Sequence, residues 1–99
     1  MKYEIAPKST EIKLNWDDAQ LYCFSLNIDG KIGWRLPTKE ELKQIFAIQN
    51  DYENTFYWSS TRANGDCAWV QYMFNGYQDY DYRNSGIYYV RAIRDLKAN

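Results

Sequence analysis

Gly33-Trp34-Arg35-Leu36-Pro37-Thr38 is the stretch that organises the rest of the chain. Pro37 disfavours helix at the residue before it, so 34–36 is predicted to be extended. Thr38, with Glu41 three residues on, is a capping box, in which side chains satisfy the first free amides of a helix. Leu42, Ile45, Phe46 and Gln49 then recur at helical spacing, which predicts a helix over 39–48.

Working upstream, Ile12 and Leu14 alternate with Glu11 and Lys13, the pattern of a short strand. Asn15 is placed to cap a helix, with Asp17 and Asp18 in the first turn, where the helix dipole favours carboxylates. Trp16, Ala19, Tyr22, Cys23 and Leu26 form one stripe at spacings of three and four. Asp29-Gly30 is predicted to end this helix. Downstream, residues 56–60 and 68–74 read as strands. Asn75-Gly76 predicts a two-residue hairpin turn with positive φ at both positions. Residues 77–83 return, Asn84-Ser85-Gly86 turns again, and 87–94 reads as the last strand. Strand, helix, strand, helix and then an antiparallel set make an α+β domain.

The chain has 99 residues, enough for one core and too few for two. Aromatics make up 18% of it, which excludes a disordered chain. No apolar run approaches the length of a membrane span, so no membrane partner is expected. Twelve basic and thirteen acidic side chains are spread evenly, without the basic stripe that a phosphate backbone needs. Nucleic acid is therefore not an expected partner. There is no histidine, which removes serine–histidine triads, cysteine–histidine dyads and His-based zinc sites. Two cysteines, Cys23 and Cys67, allow one disulfide at most. After Met1-Lys2-Tyr3-Glu4 there is no apolar stretch, so no signal segment is expected. The expected location is cytoplasmic or phage-associated, or secreted if a preceding segment has been removed.

Several motifs together resemble one family. These are the run Trp16 to Cys23, Gly33-Trp34-Arg35-Leu36-Pro37-Thr38, Tyr57-Trp58-Ser59-Ser60-Thr61, Ala68-Trp69, Asn75-Gly76 and Val90-Arg91-Ala92-Ile93-Arg94. They are similar to the carboxy-terminal, Lcl-type domain of collagen-like bacterial adhesins. More distant relatives of that family are formylglycine-generating enzymes and phage tropism determinants. The resemblance implies a C-type-lectin-like fold: two helices on a small twisted antiparallel sheet, with long loops. It also implies a cysteine at the position of Ala92, paired with Cys23. Here that partner is replaced, so a free buried thiol is expected at Cys23. The calcium motifs of related lectins, Glu-Pro-Asn or Gln-Pro-Asp with Trp-Asn-Asp, do not occur. Asp66, Asp79, Asp81 and Asn84 are read as a solvated turn, and no metal or cofactor is expected. Cys23 and Cys67 do not sit at motifs matching the enzymes' cysteine pair, so no catalysis is expected.

The resemblance implies that Trp69, Gln71 and Met73 point inward. Val70, Tyr72 and Phe74 then take the other face, because strand side chains alternate. Both faces are largely apolar, so either the strand is buried on both faces or an outward apolar face meets a partner. Trp34 and Leu36 are expected beneath the second helix. The arm after Asn75-Gly76 interleaves Tyr77, Tyr80 and Tyr82 with Gln78, Asp79, Asp81 and Asn84. Tyrosine with Asn, Ser, Gly and Asp suits a recognition surface, offering rigid amphipathic area and adaptable hydrogen bonds. In related phage proteins the same region carries the binding surface. The loop Thr61 to Asp66 lies beside it in this reading. The predicted face is therefore Arg62, Asn64, Asp66, Tyr72, Tyr77, Asp79, Tyr80, Tyr82 and Asn84. A non-catalytic module that binds a protein partner is the first expectation. A glycan ligand, or a homo-oligomeric fibre subunit built on Val70, Tyr72 and Phe74, are the alternatives.

Overall fold

The computed structural model describes residues 2–97. Its elements are β1 (Tyr3–Ile5), β2 (Ile12–Leu14), α1 (Trp16–Ser25), β3 (Trp34–Arg35), α2 (Lys39–Ile48), β4 (Phe56–Arg62), β5 (Cys67–Tyr72), β6 (Gln78–Tyr82), β7 (Tyr88–Val90) and β8 (Ile93–Asp95). A 3-10 turn, Lys8–Thr10, joins the first two strands. The architecture is α+β. There are two sheets where one was expected: an antiparallel set in the order β1-β8-β3, and a five-stranded set in the order β2-β7-β4-β5-β6. The second is mixed, because β4 runs parallel to β7.

Both helices begin where local chemistry places them. The Asn15 side chain accepts from the Asp18 amide at 2.9 Å. Thr38 accepts from the Glu41 amide at 3.1 Å, and the Glu41 carboxylate accepts from the Thr38 amide at 2.8 Å. Each helix then covers one face of the larger sheet. On the α1 side, Trp16, Ala19 and Cys23 pack with Trp34, Leu36, Trp58, Ala68, Val70, Val90 and Ala92. On the α2 side, Ile45 packs with Tyr3, Tyr57, Met73 and Ile93. Trp34 and Leu36 therefore bury against α1 rather than beneath α2.

The turns depart from the sequence reading. Asp29 and Gly30 do not simply end α1, which stops at Ser25. They have φ of 53° and 84° and join Ile28 to Lys31 through two backbone bonds of 3.0 Å. Positive φ at both central residues is the hairpin geometry expected of Asn75-Gly76. At the latter, β5 ends at Tyr72 and not at Phe74, and four residues, Met73 to Gly76, form the loop. Only Gly76 has positive φ, at 81°. The Gly76 amide donates to the Tyr72 carbonyl at 2.7 Å, and the Asn75 side chain accepts from the Tyr77 amide at 3.0 Å. Met73, buried on the α2 side, fixes the wider loop through its amide, which donates to the Thr55 carbonyl.

The predicted last strand is two strands. β7 pairs with β2 and β4, whereas β8 pairs with β1 and β3, so the chain changes sheets at Arg91-Ala92. Arg91 is 4% exposed. It donates to both Asp51 carboxylate oxygens at 2.9 Å, to Glu11 at 3.3 Å and to the Ala6 carbonyl at 2.9 Å. Its guanidinium also lies 4.6 Å from the Tyr52 ring centre. β1 was not anticipated, since its three residues carry too little pattern to register.

Candidate functional site

Cross-strand register builds the surface. Trp58 lies opposite Val70, and Phe56 lies opposite Tyr72, on the face that α1 covers in part. From the buried end outward, Trp58 meets Tyr88 edge-on at 5.1 Å. Tyr88 then meets Phe56 at 5.8 Å, and Phe56 stacks on Tyr72 at 4.8 Å with 19° between planes. Tyr72 meets Phe74 at 5.9 Å. Trp58 is fully buried, but Phe74 is 63% exposed. A continuous ladder of rings thus runs from the core into solvent, with offset and tilted geometries that aromatic pairs favour.

Acidic groups edge this ladder. Val70 pairs with Asp79 and Ala68 with Asp81, so both carboxylates share the face of Val70 and Tyr72. The Tyr77 hydroxyl donates to Asp79 at 3.4 Å. The Tyr88 hydroxyl donates to Asp81 at 2.5 Å. Burial, and then the Asp81 carboxylate, push the Tyr88 hydroxyl pKa up to about 12, so it remains a proton donor. Among the described residues, no three His, Cys, Asp or Glu side chains gather as a metal would need.

The nine predicted residues do not form one face. Tyr72, Tyr77 and Asp79 come together at the outer end of the ladder. Tyr80 and Tyr82 lie on the opposite face, paired with Trp69 and Cys67. Tyr80 meets the Trp69 ring edge-on at 5.3 Å, and Lys39 Nζ lies 4.1 Å above that ring. The period-two alternation of a strand forces this division, since residues 79 and 80 cannot share a face. Arg62, opposite Ala68, and Asn64 and Asp66 beyond it sit at the far end of β5, roughly 13–20 Å from Tyr72 at the usual rise per strand residue. Arg62 rests 5.3 Å from the Trp16 ring. The Asn64 carboxamide accepts from the Asp66 and Cys67 amides, so it serves the turn. Asn84 is exposed in the second turn, beyond β6.

Val70 is 3% exposed in the α1-side core, which agrees with the reading of a strand buried on both faces. One orientation needs correction. Trp69, assigned to the core, is only half-buried, whereas Gln71 and Met73 on its face are buried. The central part of the strand is therefore covered on both faces, and only Tyr72 and the loop beyond it escape α1. Sequence reading missed Phe56 and Tyr88 as parts of the surface. Their hydrophobicity was visible, but their stacking depends on which strands lie side by side.

Both cysteines are free and buried. Cys23 shares its cluster with Ala92, and burial pushes its pKa up to about 12. No helix among the described residues is long and apolar enough to cross a membrane.

No curated protein matches the chain. The family described as Lcl C-terminal domain matches residues 3–94, from the start of β1 into β8, taking in both helices and all the motifs above. The chain belongs to the Lcl C-terminal domain family.

Proposed function

We propose that this domain is a non-catalytic recognition module that binds a protein partner through the outer end of the aromatic ladder. The observation that carries this reading is the emergence of Phe56, Tyr72 and Phe74 from beneath α1, joined by Tyr77 at 55% exposure and by Asp79. Rigid rings with few rotatable bonds, beside a carboxylate that accepts hydrogen bonds, match the composition of interface hot spots. The absence of catalysis is supported by the residue inventory. The chain has no histidine, and the Cys23 thiol is buried and held protonated. An adhesin-related module is consistent with the family.

The test compares the intact domain with Phe74→Ala and Tyr77→Ala. Each variant is applied to saturable capture of a partner from host lysate and to a glycan array. Both side chains are exposed, so melting should change little. Captured partner should bind each variant about 1–3 kcal/mol more weakly. A saturable glycan signal with empty capture would replace the protein with a sugar ligand.

A further inference from the structure

Among the described residues, β6 is the outer strand of the five-stranded sheet, paired with β5 on one side only. Its register says which backbone groups are open. The Tyr72 amide donates to the Tyr77 carbonyl and the Arg83 amide to the Asp66 carbonyl. Between these rungs, antiparallel alternation makes Asp79 and Asp81 the hydrogen-bonded partners of β5. The amides of Gln78, Tyr80 and Tyr82 and the carbonyls of Gln78 and Tyr80 therefore point away from the sheet, while the Tyr82 carbonyl accepts from the Gly86 amide at 2.9 Å. Open edges of this kind pair readily with another strand.

Two of those outward amides are already occupied. The Asp79 carboxylate accepts from the Tyr80 amide at 2.8 Å, and the Asp81 carboxylate accepts from the Tyr82 amide at 2.7 Å. Each aspartate folds over the amide that follows it. A second copy of the chain is a poor occupant. If two β6 strands paired antiparallel about Tyr80, Asp79 of each would face Asp81 of the other, and opposed like charges destabilise a strand pair. A strand with cations at those two positions meets the opposite situation. In an added antiparallel strand, the residues facing Asp79 and Asp81 form non-hydrogen-bonded pairs, whose side chains approach most closely. The residue between them would face Tyr80 on the other side, where Lys39 already supplies positive charge.

Building on the reading of a protein partner, we propose that the β6 edge accepts an extended segment of that partner carrying basic–apolar–basic residues. On docking, Asp79 and Asp81 turn from the Tyr80 and Tyr82 amides to the partner's Lys or Arg groups. The freed amides then bind its backbone carbonyls. Main-chain bonds supply attachment and the alternate side chains supply selectivity, the division of labour in strand addition.

The probe is the peptide acetyl-Ser-Val-Lys-Val-Arg-Val-Ser-amide, titrated into 15N-labelled domain. The control peptide carries Glu in place of Lys and Arg. The expected result is a saturable shift of the Tyr80 and Tyr82 amides with the basic peptide alone, weakened by salt. Binding to Asp79→Asn/Asp81→Asn should fall at least about tenfold, because the charge complement is lost. Unmoved Tyr80 and Tyr82 amides, or equal binding of the two peptides, would overturn the proposal. The captured partner separates the two readings. If Phe74→Ala and Tyr77→Ala lose it while Asp79→Asn/Asp81→Asn keeps it, the edge proposal fails and the recognition reading stands. If none of these changes weakens capture, both fail.

Discussion

Arg91 sits where the chain leaves one sheet for the other, and its partners come from two separate segments: Ala6 and Glu11 in one, Asp51 and Tyr52 in the other. Burial opposes its charge, but the Asp51 hydrogen bonds and neighbouring negative groups outweigh this and raise its pKa. Glu11 has only 6% of its side chain exposed, and it also receives the Tyr57 hydroxyl at 2.9 Å. Arg91→Ala would leave that acid without its closest guanidinium. It should therefore cost about 3–5 kcal/mol of stability by urea unfolding, as breaking a buried pair does. Tyr52 behaves differently. Its hydroxyl is buried with no hydrogen-bond partner among the described residues, while its ring packs against Tyr57 at 4.8 Å. Tyr52→Phe keeps the ring and removes the orphaned group. It should leave stability unchanged or raise it by up to about 1 kcal/mol in the same assay. Neither effect was legible in the sequence, where Arg91 was one residue of a motif and Tyr52 one tyrosine of ten.

α2 was the most legible element, because the signals that start it are local. Thr38, Glu41 and the apolar spacing lie within a few residues of one another, and the helix runs Lys39–Ile48 as predicted. The sequence did not disclose that Glu41 has a second task. Both its oxygens accept from Arg35 at 2.8 Å, and Arg35 also reaches Asp95 at the end of β8. The Arg35 hydrogen bonds hold the Glu41 carboxyl below its ordinary range, with burial opposing. A depressed folded pKa stabilises the protein above the unfolded value of about 4.3 and is lost as pH falls through the lower folded value. Asp51, lowered chiefly by Arg91, acts in the same direction. Urea stability should therefore decline between about pH 5 and pH 3. Glu41→Gln can still accept from the Thr38 amide but has no charge to lose, so its decline over that interval should be shallower. An unchanged slope would show that the pair carries no acid sensitivity. The turns were less legible than the helix. Asp29-Gly30 and Asn75-Gly76 have equivalent local chemistry. Tertiary anchoring of Met73 selects the wider loop at the second, and no short-range signal encodes that anchor.

The whole molecule joins two sheets by sending one strand's worth of sequence into both. The alternating pattern of 87–94 looks uniform because each half suits a strand, and nothing local marks the change of partner at Arg91-Ala92. The same limit divided the candidate site. Strand alternation alone separates Tyr77 and Asp79 from Tyr80 and Tyr82, but which set joins the face of Tyr72 depended on the register between β5 and β6. The cysteines were legible: Cys23 lies on the inner stripe of α1 and is free, as is Cys67. Adding reductant should therefore leave the melting temperature unchanged. A bridged pair would contribute about 2–4 kcal/mol, a shift of roughly 10 °C or more in a domain this size. The pairing of β1 with β8 has a mechanical meaning. Tyr3 lies opposite Asp95, so the two ends of the described chain leave the fold side by side. Antiparallel backbone bonds run across the strands. Tension between the two ends would load those rungs one after another, from the Leu96 amide–Lys2 carbonyl bond inward through the Glu4–Arg94 pair, and peel β1 away at low force. Tension entering through β6 and leaving by the amino-terminal end would be transmitted through the larger sheet and both cores before reaching β1. The fold would then hold a load applied at the β6 edge better than one applied between its ends.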